Sequence, residues 1–187
     1  MIQEILFALA SFLLIAVSWR SLRARRSHGF ARFFAWEALV GLIILNVPAW
    51  FRNPLSPRQL ISWLFLGGAI FMAVHGFWLL KQVGKPQKSS TSSPPELAAN
   101  FEFENTSTLV TNGAYRYIRH PLYSSLVLLG LGAYFKELSL FATFLIALEM
   151  VCLYFTARSE EKENLIRFGE SYAVYMKHSR MFIPFIF

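Results

Sequence analysis

Between Leu109 and Ser125 the chain reads L-V-T-N-G-A-Y-R-Y-I-R-H-P-L-Y-S-S, and the groups able to do chemistry crowd its middle. Pro121 suits the first turn of a helix, where its missing N–H costs nothing, so a helix starting there aims unpaired N–H groups outward. Arg119 and His120 precede that start and share its positive dipole end, which attracts a carboxylate or a phosphate. Tyr115, Tyr117 and Tyr123 surround the same point, and tyrosine faces can hold a ligand cation. A plainer role fits the same residues: Arg and His as anchors at a membrane boundary, Tyr as part of the interfacial aromatic belt.

A second stretch, Arg158–Tyr175, reads R-S-E-E-K-E-N-L-I-R-F-G-E-S-Y-A-V-Y. Leu165, Phe168, Tyr172 and Tyr175 recur as one stripe of a helix lying along the membrane surface. Gly169 interrupts it at a cost of about 1 kcal/mol relative to Ala, which points to close packing or a cap. Glu160 and Glu161 stand at its start, either as solvated residues favoured by the dipole or as functional carboxylates at a membrane mouth. Three ionisable groups fall inside apolar runs. Glu149 lies about 12 Å into its run, where a carboxylate is costly and marks a functional site or a buried partner. His75 and Glu37 sit nearer the ends of theirs and suit interhelical hydrogen bonds. His28 and His178 read as surface residues. Cys152 is the single cysteine. No Cys/His cluster has zinc spacing, so disulfide scaffolds and metal sites are not expected.

The elements that must position these residues are membrane helices. Of 187 residues, 55% are hydrophobic and only 16% charged, against about 25% charged in soluble domains. That balance excludes an ordinary water-soluble enzyme. Apolar runs at about Met1–Trp19, Phe33–Trp50, Leu60–Leu80, Pro121–Phe135 and Leu138–Ala157 predict five spans. The fold class expected is all-α: a polytopic integral membrane protein with about five transmembrane helices and a C-terminal amphipathic interfacial helix. The first run has no basic segment before it and no small-residue cleavage site after it, so it reads as a retained anchor and not a signal peptide. The fourth run is short, and two solutions stay open. Its helix begins earlier, near Tyr115, or it forms a tight hairpin whose Lys136-Glu137 turn sits shallow and snorkels.

The net charge of +7, from 18 Lys and Arg against 11 acids that are all Glu, suggests a membrane partner before a nucleic acid. With the amino terminus outside, 15 of the 18 basic residues fall on inner segments, leaving Arg52, Arg58 and Lys136 outside. The positive-inside rule then puts residues 81–120 and 158–187 together on the cytoplasmic face. Lys81–Pro95 reads as a linker rich in Gly, Pro and Ser. Thr106–Thr111 reads as extended chain closed by the Asn112-Gly113 turn. Three parts are expected: spans over 1–80, a cytoplasmic linker and loop over 81–120, and a hairpin with its terminal helix over 121–187. The segment 100–120 works with the last of these as one catalytic unit.

The ordered set T-N-G-A-Y-R-Y-I-R-H-P-L-Y, a hydrophobic hairpin, E-E, then F-G-E-S-Y-A-V-Y and Pro184 resembles the isoprenylcysteine carboxyl methyltransferase family of membrane enzymes. Phospholipid N-methyltransferases are its relatives. The resemblance covers about Asn100–Phe187. It implies S-adenosylmethionine as methyl donor in a cytosol-facing pocket, and an acceptor that is lipophilic and enters from the bilayer. Carried over by position, the cofactor site comprises Asn100, the backbone of Ser107, Thr108, Leu109 and Val110, and Tyr115, His120, Pro121, Leu122, Tyr123 and Glu160. Arg119 and His120 would hold the methionine carboxylate, Tyr115 and Tyr123 would face the sulfonium, and Glu160 would bind the amino or ribose groups. His120 or Glu161 would serve as base if the acceptor is an amine or thiol. Arg158 and Glu149 are the acceptor-side candidates.

Two positions depart from the pattern. Thr156 stands where the eukaryotic prenylcysteine enzymes carry a substrate-binding Arg, and Ser124-Ser125 replaces a small residue that is often Gly. Both weigh against a prenylcysteine carboxylate. The lack of Asp and of a G-x-G-x-x-G motif weighs against the soluble Rossmann design. Two rivals remain at this level: a lipid reductase or isomerase on the same scaffold, and a non-catalytic, transporter-like membrane protein. The acceptor itself and the oligomeric state have no signature in the sequence.

Overall fold

The structure, a computed structural model, describes residues 1–24, 27–85 and 106–186. Arg25, Arg26, most of the expected linker with Lys88, and Asn100 therefore lie outside the described residues. Among the described residues six α-helices follow one another: α1 Ile2–Arg23, α2 His28–Leu45, α3 Pro57–Gln82, α4 Pro121–Tyr134, α5 Leu140–Phe168 and α6 Glu170–His178. Short 3-10 turns occupy Val47–Ala49 and Gly113–Arg116. The fold is all-α.

Four helices, α1, α2, α3 and α5, are long and apolar enough to cross a membrane, and α4 is a shorter apolar helix. Large side chains such as Phe12, Leu64, Phe71 and Leu140 are exposed along them, as lipid-facing residues of a bundle are and core residues of a soluble protein are not. The chain is a multi-pass integral membrane protein.

Helix α2 packs on α5 and α3 on α4, while α1 lies outermost against α2. Small residues let α4 approach its neighbours. A Cβ on Gly132 would meet Leu66 at 2.7 Å, and one on Gly76 would meet Leu122 at 3.2 Å. Toward one end Leu42, Ala133, Ala142, Leu145 and Ile146 form a core; toward the other, Ala35, Tyr123, Leu153, Ala157 and Met181 do.

The short fourth helix is resolved by its ends. It starts at Pro121, not near Tyr115, because the residues before it form the separate Gly113–Arg116 turn. Its 14 residues reach about 21 Å. The turn that follows does not snorkel. Lys136 is completely buried, its Nζ 3.0 Å from Gln59 Oε1 and 3.2 Å from the centre of the Trp63 ring. The carbonyls that a helix end leaves unpaired find donors here. Ser62 Oγ donates to Gly132 O at 2.6 Å, Asn46 Nδ2 to Ala133 O at 2.8 Å, and Gln59 Nε2 to Ala49 O at 2.9 Å and Lys136 O at 3.3 Å. Within hydrocarbon such groups must be satisfied internally, so this polar knot allows a short helix to end below the surface. Gln59→Leu should orphan the Lys136 ammonium and its carbonyl. Each orphaned group costs about 1–3 kcal/mol, and a detergent thermal scan should show a lower midpoint with no change in helix content.

Glu149 is fully buried on α5, with both carboxylate oxygens lacking a hydrogen-bond partner among the described residues. It presses on α4 at Gly130, where an added Cβ would lie 2.0 Å from Oε2. Glu37 accepts a hydrogen bond from Ser11 at 2.7 Å, the interhelical link its position suggested. His75 stacks between Phe71 and Trp78 on α3. His28 corrects its reading as a surface residue. It is buried, with its N–H donating to Glu163 Oε1 at 2.9 Å and its Nδ1 2.8 Å from Glu163 Oε2. A carboxylate from α5 thus serves the N-terminus of α2, where negative charge is favoured.

Candidate active site

The site forms where the ends of α3, α4 and α5 meet the two polar segments. Thr106–Val110 is tied to the end of α3 because Gly84 O accepts the N–H groups of Ser107 at 2.9 Å and Thr108 at 3.2 Å. Val110 then buries against Leu79 and Tyr115. The next turn needs a glycine: Gly113 has φ +56°, and a Cβ there would lie 2.7 Å from Leu79 and 2.8 Å from His75 Nε2. The chain continues into residues 117–120, which pair with the segment after α6. Arg180 N–H donates to Tyr117 O at 2.9 Å, Arg119 N–H to Arg180 O at 2.7 Å and His120 N–H to Met181 O at 3.2 Å. Ser124 Oγ donates to Phe182 O at 2.9 Å and Tyr175 Oη to Tyr115 O at 2.5 Å, closing the junction.

From α5, Glu160, Asn164 and Phe168 recur every four residues and so share a face. Gly169, at φ +57°, caps α5 with nothing near its missing Cβ, which selects the cap over close packing. The expected surface helix is therefore two pieces. Helix α5 runs straight through the E-E pair, and α6 turns Tyr172 and Tyr175 back over the site. Leu165 leaves the expected stripe and is exposed.

These elements line a cleft that opens to the surface. Leu109, Val110, Tyr115, Arg119, His120, Leu122, Tyr123 and Glu160 of the expected set line it. Leu80, Thr106, Asn164, Phe168, Tyr172 and Tyr175 also line it, outside that set. The four-residue spacing of Glu160, Asn164 and Phe168 was a readable signal for two of them. Ser107 and Thr108 are exposed and hold the loop to α3 through their backbone. Pro121 is buried and starts α4 behind the wall. Arg158 is half-exposed, 3.7 Å from Glu161. Glu149 does not line the cleft.

At its centre His120 lies between two carboxylates, Nδ1 3.5 Å from Glu160 Oε2 and Nε2 3.6 Å from Glu161 Oε1. Its ring stacks on Tyr123, 5.4 Å away and tilted 16°. Arg119 Nε donates to Glu161 at 2.7 Å while Nη1 donates to Ser179 O at 2.6 Å. Burial works against ionisation of all three titratable groups, and their mutual charges overcome it. The two carboxylates beside it, Glu160 and Glu161, lift His120 above the ordinary imidazole range. Burial would raise Glu160, but His120, the charge of His28 and the Tyr123 hydroxyl hold it well below the carboxylate range. His120 and Arg119 do the same for Glu161 against burial. Burial, with Glu160 adding to it, raises Tyr115 and Tyr172, so both stay neutral phenols.

His120 Nε2 is buried without a hydrogen-bond partner among the described residues, so polar capacity remains at the cleft wall, whereas Glu161 does not line the cleft. An aromatic-walled cleft that offers two cations and a carboxylate suits a zwitterionic ligand with a flat ring. Among the described residues no group of His, Cys and Glu could hold a metal.

The curated proteins and the solved structures offer no match to this chain. A family model described as phospholipid methyltransferase matches residues 57–168, from the start of α3 to the end of α5, taking in the R-H-P-L-Y junction and the E-E pair. The chain belongs to the phospholipid methyltransferase family, membrane enzymes whose methyl donor is S-adenosylmethionine.

Proposed function

We propose that the protein methylates a lipophilic acceptor at the cytoplasmic face of its membrane, with S-adenosylmethionine in the cleft at the R-H-P-L-Y junction. The observation that carries this reading is the charge pattern of the cleft, Arg119 and His120 beside Glu160 inside an aromatic wall. The bound cofactor supplies a sulfonium methyl that an acceptor lone pair takes by in-line displacement, the breaking C–S pair remaining on sulfur. Arg119 and His120 hold the carboxylate of the methionine moiety, Glu160 its ammonium or the ribose hydroxyls, and Tyr115 and Tyr123 lie against the positive sulfur. The two carboxylates favour the charged form of His120 and Glu161 is paired to Arg119, so both residues act by charge and position. Catalysis comes from alignment of the two reactants and exclusion of water.

A second opening supports a bilayer-borne acceptor. An open groove between α2, α3 and α4 shares Leu122 and Tyr123 with the cleft. Its rim residues Val74 and Phe77 are exposed where lipid surrounds α3. The placement of the cleft on the cytoplasmic side rests on the basic residues gathered there.

Calorimetric titration of the detergent-purified protein with S-adenosylhomocysteine tests the reading. Saturable binding is expected, weakened at least about tenfold by Tyr123→Ala, and no heat at millimolar ligand rejects methyl transfer. Retained affinity in Tyr123→Ala would move the site away from the junction while leaving the activity intact.

A further inference from the structure

Four successive carbonyls after α6 accept hydrogen bonds from the residues around the start of α4. Arg119 Nη1 donates to Ser179 O at 2.6 Å, Arg119 N–H to Arg180 O at 2.7 Å and His120 N–H to Met181 O at 3.2 Å. Ser124 Oγ, in the first turns of α4, donates to Phe182 O at 2.9 Å. Residues 179–182 thus lie as a strap along Arg119 and His120. The family model ends at Phe168, so the strap is outside the matched residues.

Ser124 and Ser125 depart from the resembled pattern, and their hydroxyls do different things. Ser125 Oγ turns back on its own helix to Leu122 O at 2.6 Å. Ser124 is buried and does not line the cleft. His120 O lies 3.1 Å from the Ser124 hydroxyl, but it already accepts the Ser124 N–H at 2.9 Å, so the hydroxyl proton goes to the nearer Phe182 O. A buried pair of this kind is costly to leave unmade. Held there, the Phe182 ring packs beside the His120 ring, 6.1 Å away and tilted 46°, and against the core of Tyr123, Leu153 and Met181. The two carboxylates stand 3.5 and 3.6 Å from the imidazole nitrogens, beyond the usual 2.7–3.2 Å of an N–H···O bond. They supply charge to His120 but do not fix its ring. Aromatic packing, from Tyr123 on α4 and from Phe182 on the strap, is left to set the plane of the imidazole.

We propose that Ser124 is a positioning residue for the cleft: its hydroxyl clasps the strap at Phe182, and the Phe182 ring sets the orientation in which His120 meets the ligand. The identity of that ligand rests on the methyl-transfer reading above, to which the clasp adds a residue that acts through Phe182 without touching the cofactor.

Two measurements on the detergent-purified full chain test the clasp. One is the affinity for S-adenosylhomocysteine by calorimetry. The other is the nuclear magnetic resonance signal of the His120 Cε1–H in protein labelled with 13C at its four histidines, assigned as the signal that His120→Gln removes. Ala is the best helix former, so Ser124→Ala leaves α4 intact. It should weaken S-adenosylhomocysteine binding about three- to tenfold, the net worth of one hydrogen bond. Phe182→Leu should weaken it to a similar extent. The double variant should bind within about twofold of the weaker single one, because both substitutions remove one contact. Both single variants should move the His120 resonance in the same direction, since each displaces the ring current of Phe182. Ser125→Ala, which loses a hydroxyl one residue away, should keep the affinity within about twofold and the resonance in place. An unchanged affinity in Ser124→Ala overturns the proposal, as do losses that multiply in the double variant or an equal loss in Ser125→Ala. A lowered thermal midpoint in Ser124→Ala with an unmoved His120 resonance also overturns it, and reduces Ser124 to a fold contact. Absence of S-adenosylhomocysteine binding in the unsubstituted protein rejects the methyl-transfer reading instead, and the His120 resonances then decide the clasp by themselves.

Discussion

Replacing Glu160 by Gln should weaken S-adenosylhomocysteine binding by about 30-fold or more, measured by calorimetry at neutral pH. Removing one member of a buried charge pair costs roughly 2–5 kcal/mol, and about 1.4 kcal/mol is tenfold. The lower end applies because the Glu160 side chain keeps 26% of its surface open to the cleft. Two losses combine: the ligand's cationic or hydroxyl groups lose an acceptor, and His120 loses one of the two carboxylates that keep it charged. The second loss gives a signature. In the unsubstituted protein the raised His120 should remain an imidazolium to a pH above its ordinary 6.5, so affinity holds to a higher pH than a free imidazole would allow and falls as pH rises through the His120 value. In Glu160→Gln that fall should begin at lower pH. Stability follows the same signs. The contribution of His120 is fully present below its unfolded value and is lost as pH rises through the raised folded one. The contributions of Glu160 and Glu161 are present above 4.5 and are lost as pH falls through their lowered folded values. Maximum stability from this cluster therefore lies between about 4.5 and 6.5. His120→Gln should flatten the alkaline limb of a pH series of thermal midpoints.

Arg119→Ala should be the most destabilising substitution at the junction. Arg119 is 10% exposed and Glu161 3%, and breaking such a buried pair from one side costs about 3–5 kcal/mol. The same guanidinium also holds the carbonyl of Ser179, so its loss should loosen the segment that pairs with residues 117–120. Arg158→Ala supplies the contrast. It removes a guanidinium from the same Glu161, yet Arg158 is 53% exposed, and surface pairs contribute only about 0–1 kcal/mol. Thermal scans of the two variants should differ by several degrees, and equal shifts would mean that Arg119 owes its place to the cofactor and not to the fold.

The site was legible in unequal parts. The R-H-P-L-Y junction and the E-E pair stood out because a helix start and a carboxylate pair are local patterns. Tyr115, His120, Leu122, Tyr123 and Glu160, part of the set that the family resemblance implied, line one cleft. Asn164 and Phe168 were partly legible, since they repeat Glu160 at helical spacing. Glu149 stood out equally as a costly mid-span carboxylate, but its side chain fills the notch at Gly130 and does not line the cleft. A burial cost marks a residue as constrained without saying what constrains it.

What the sequence determined by itself follows from short-range physics. Apolar runs of membrane length, glycine and proline punctuation, and lopsided basic charge are properties of contiguous residues, and they prescribe an all-α, multi-pass chain with its polar motifs at one end. Only the tertiary structure decided which distant groups meet. The pairing of residues 117–120 with 180–181, the knot of Gln59 with Lys136, the burial of His28 under Glu163, and the groove that brings Arg32 to the Tyr123 wall each join residues dozens of positions apart. Such contacts depend on how helices pack, through small residues and satisfied polar groups, and no periodicity along the chain records them.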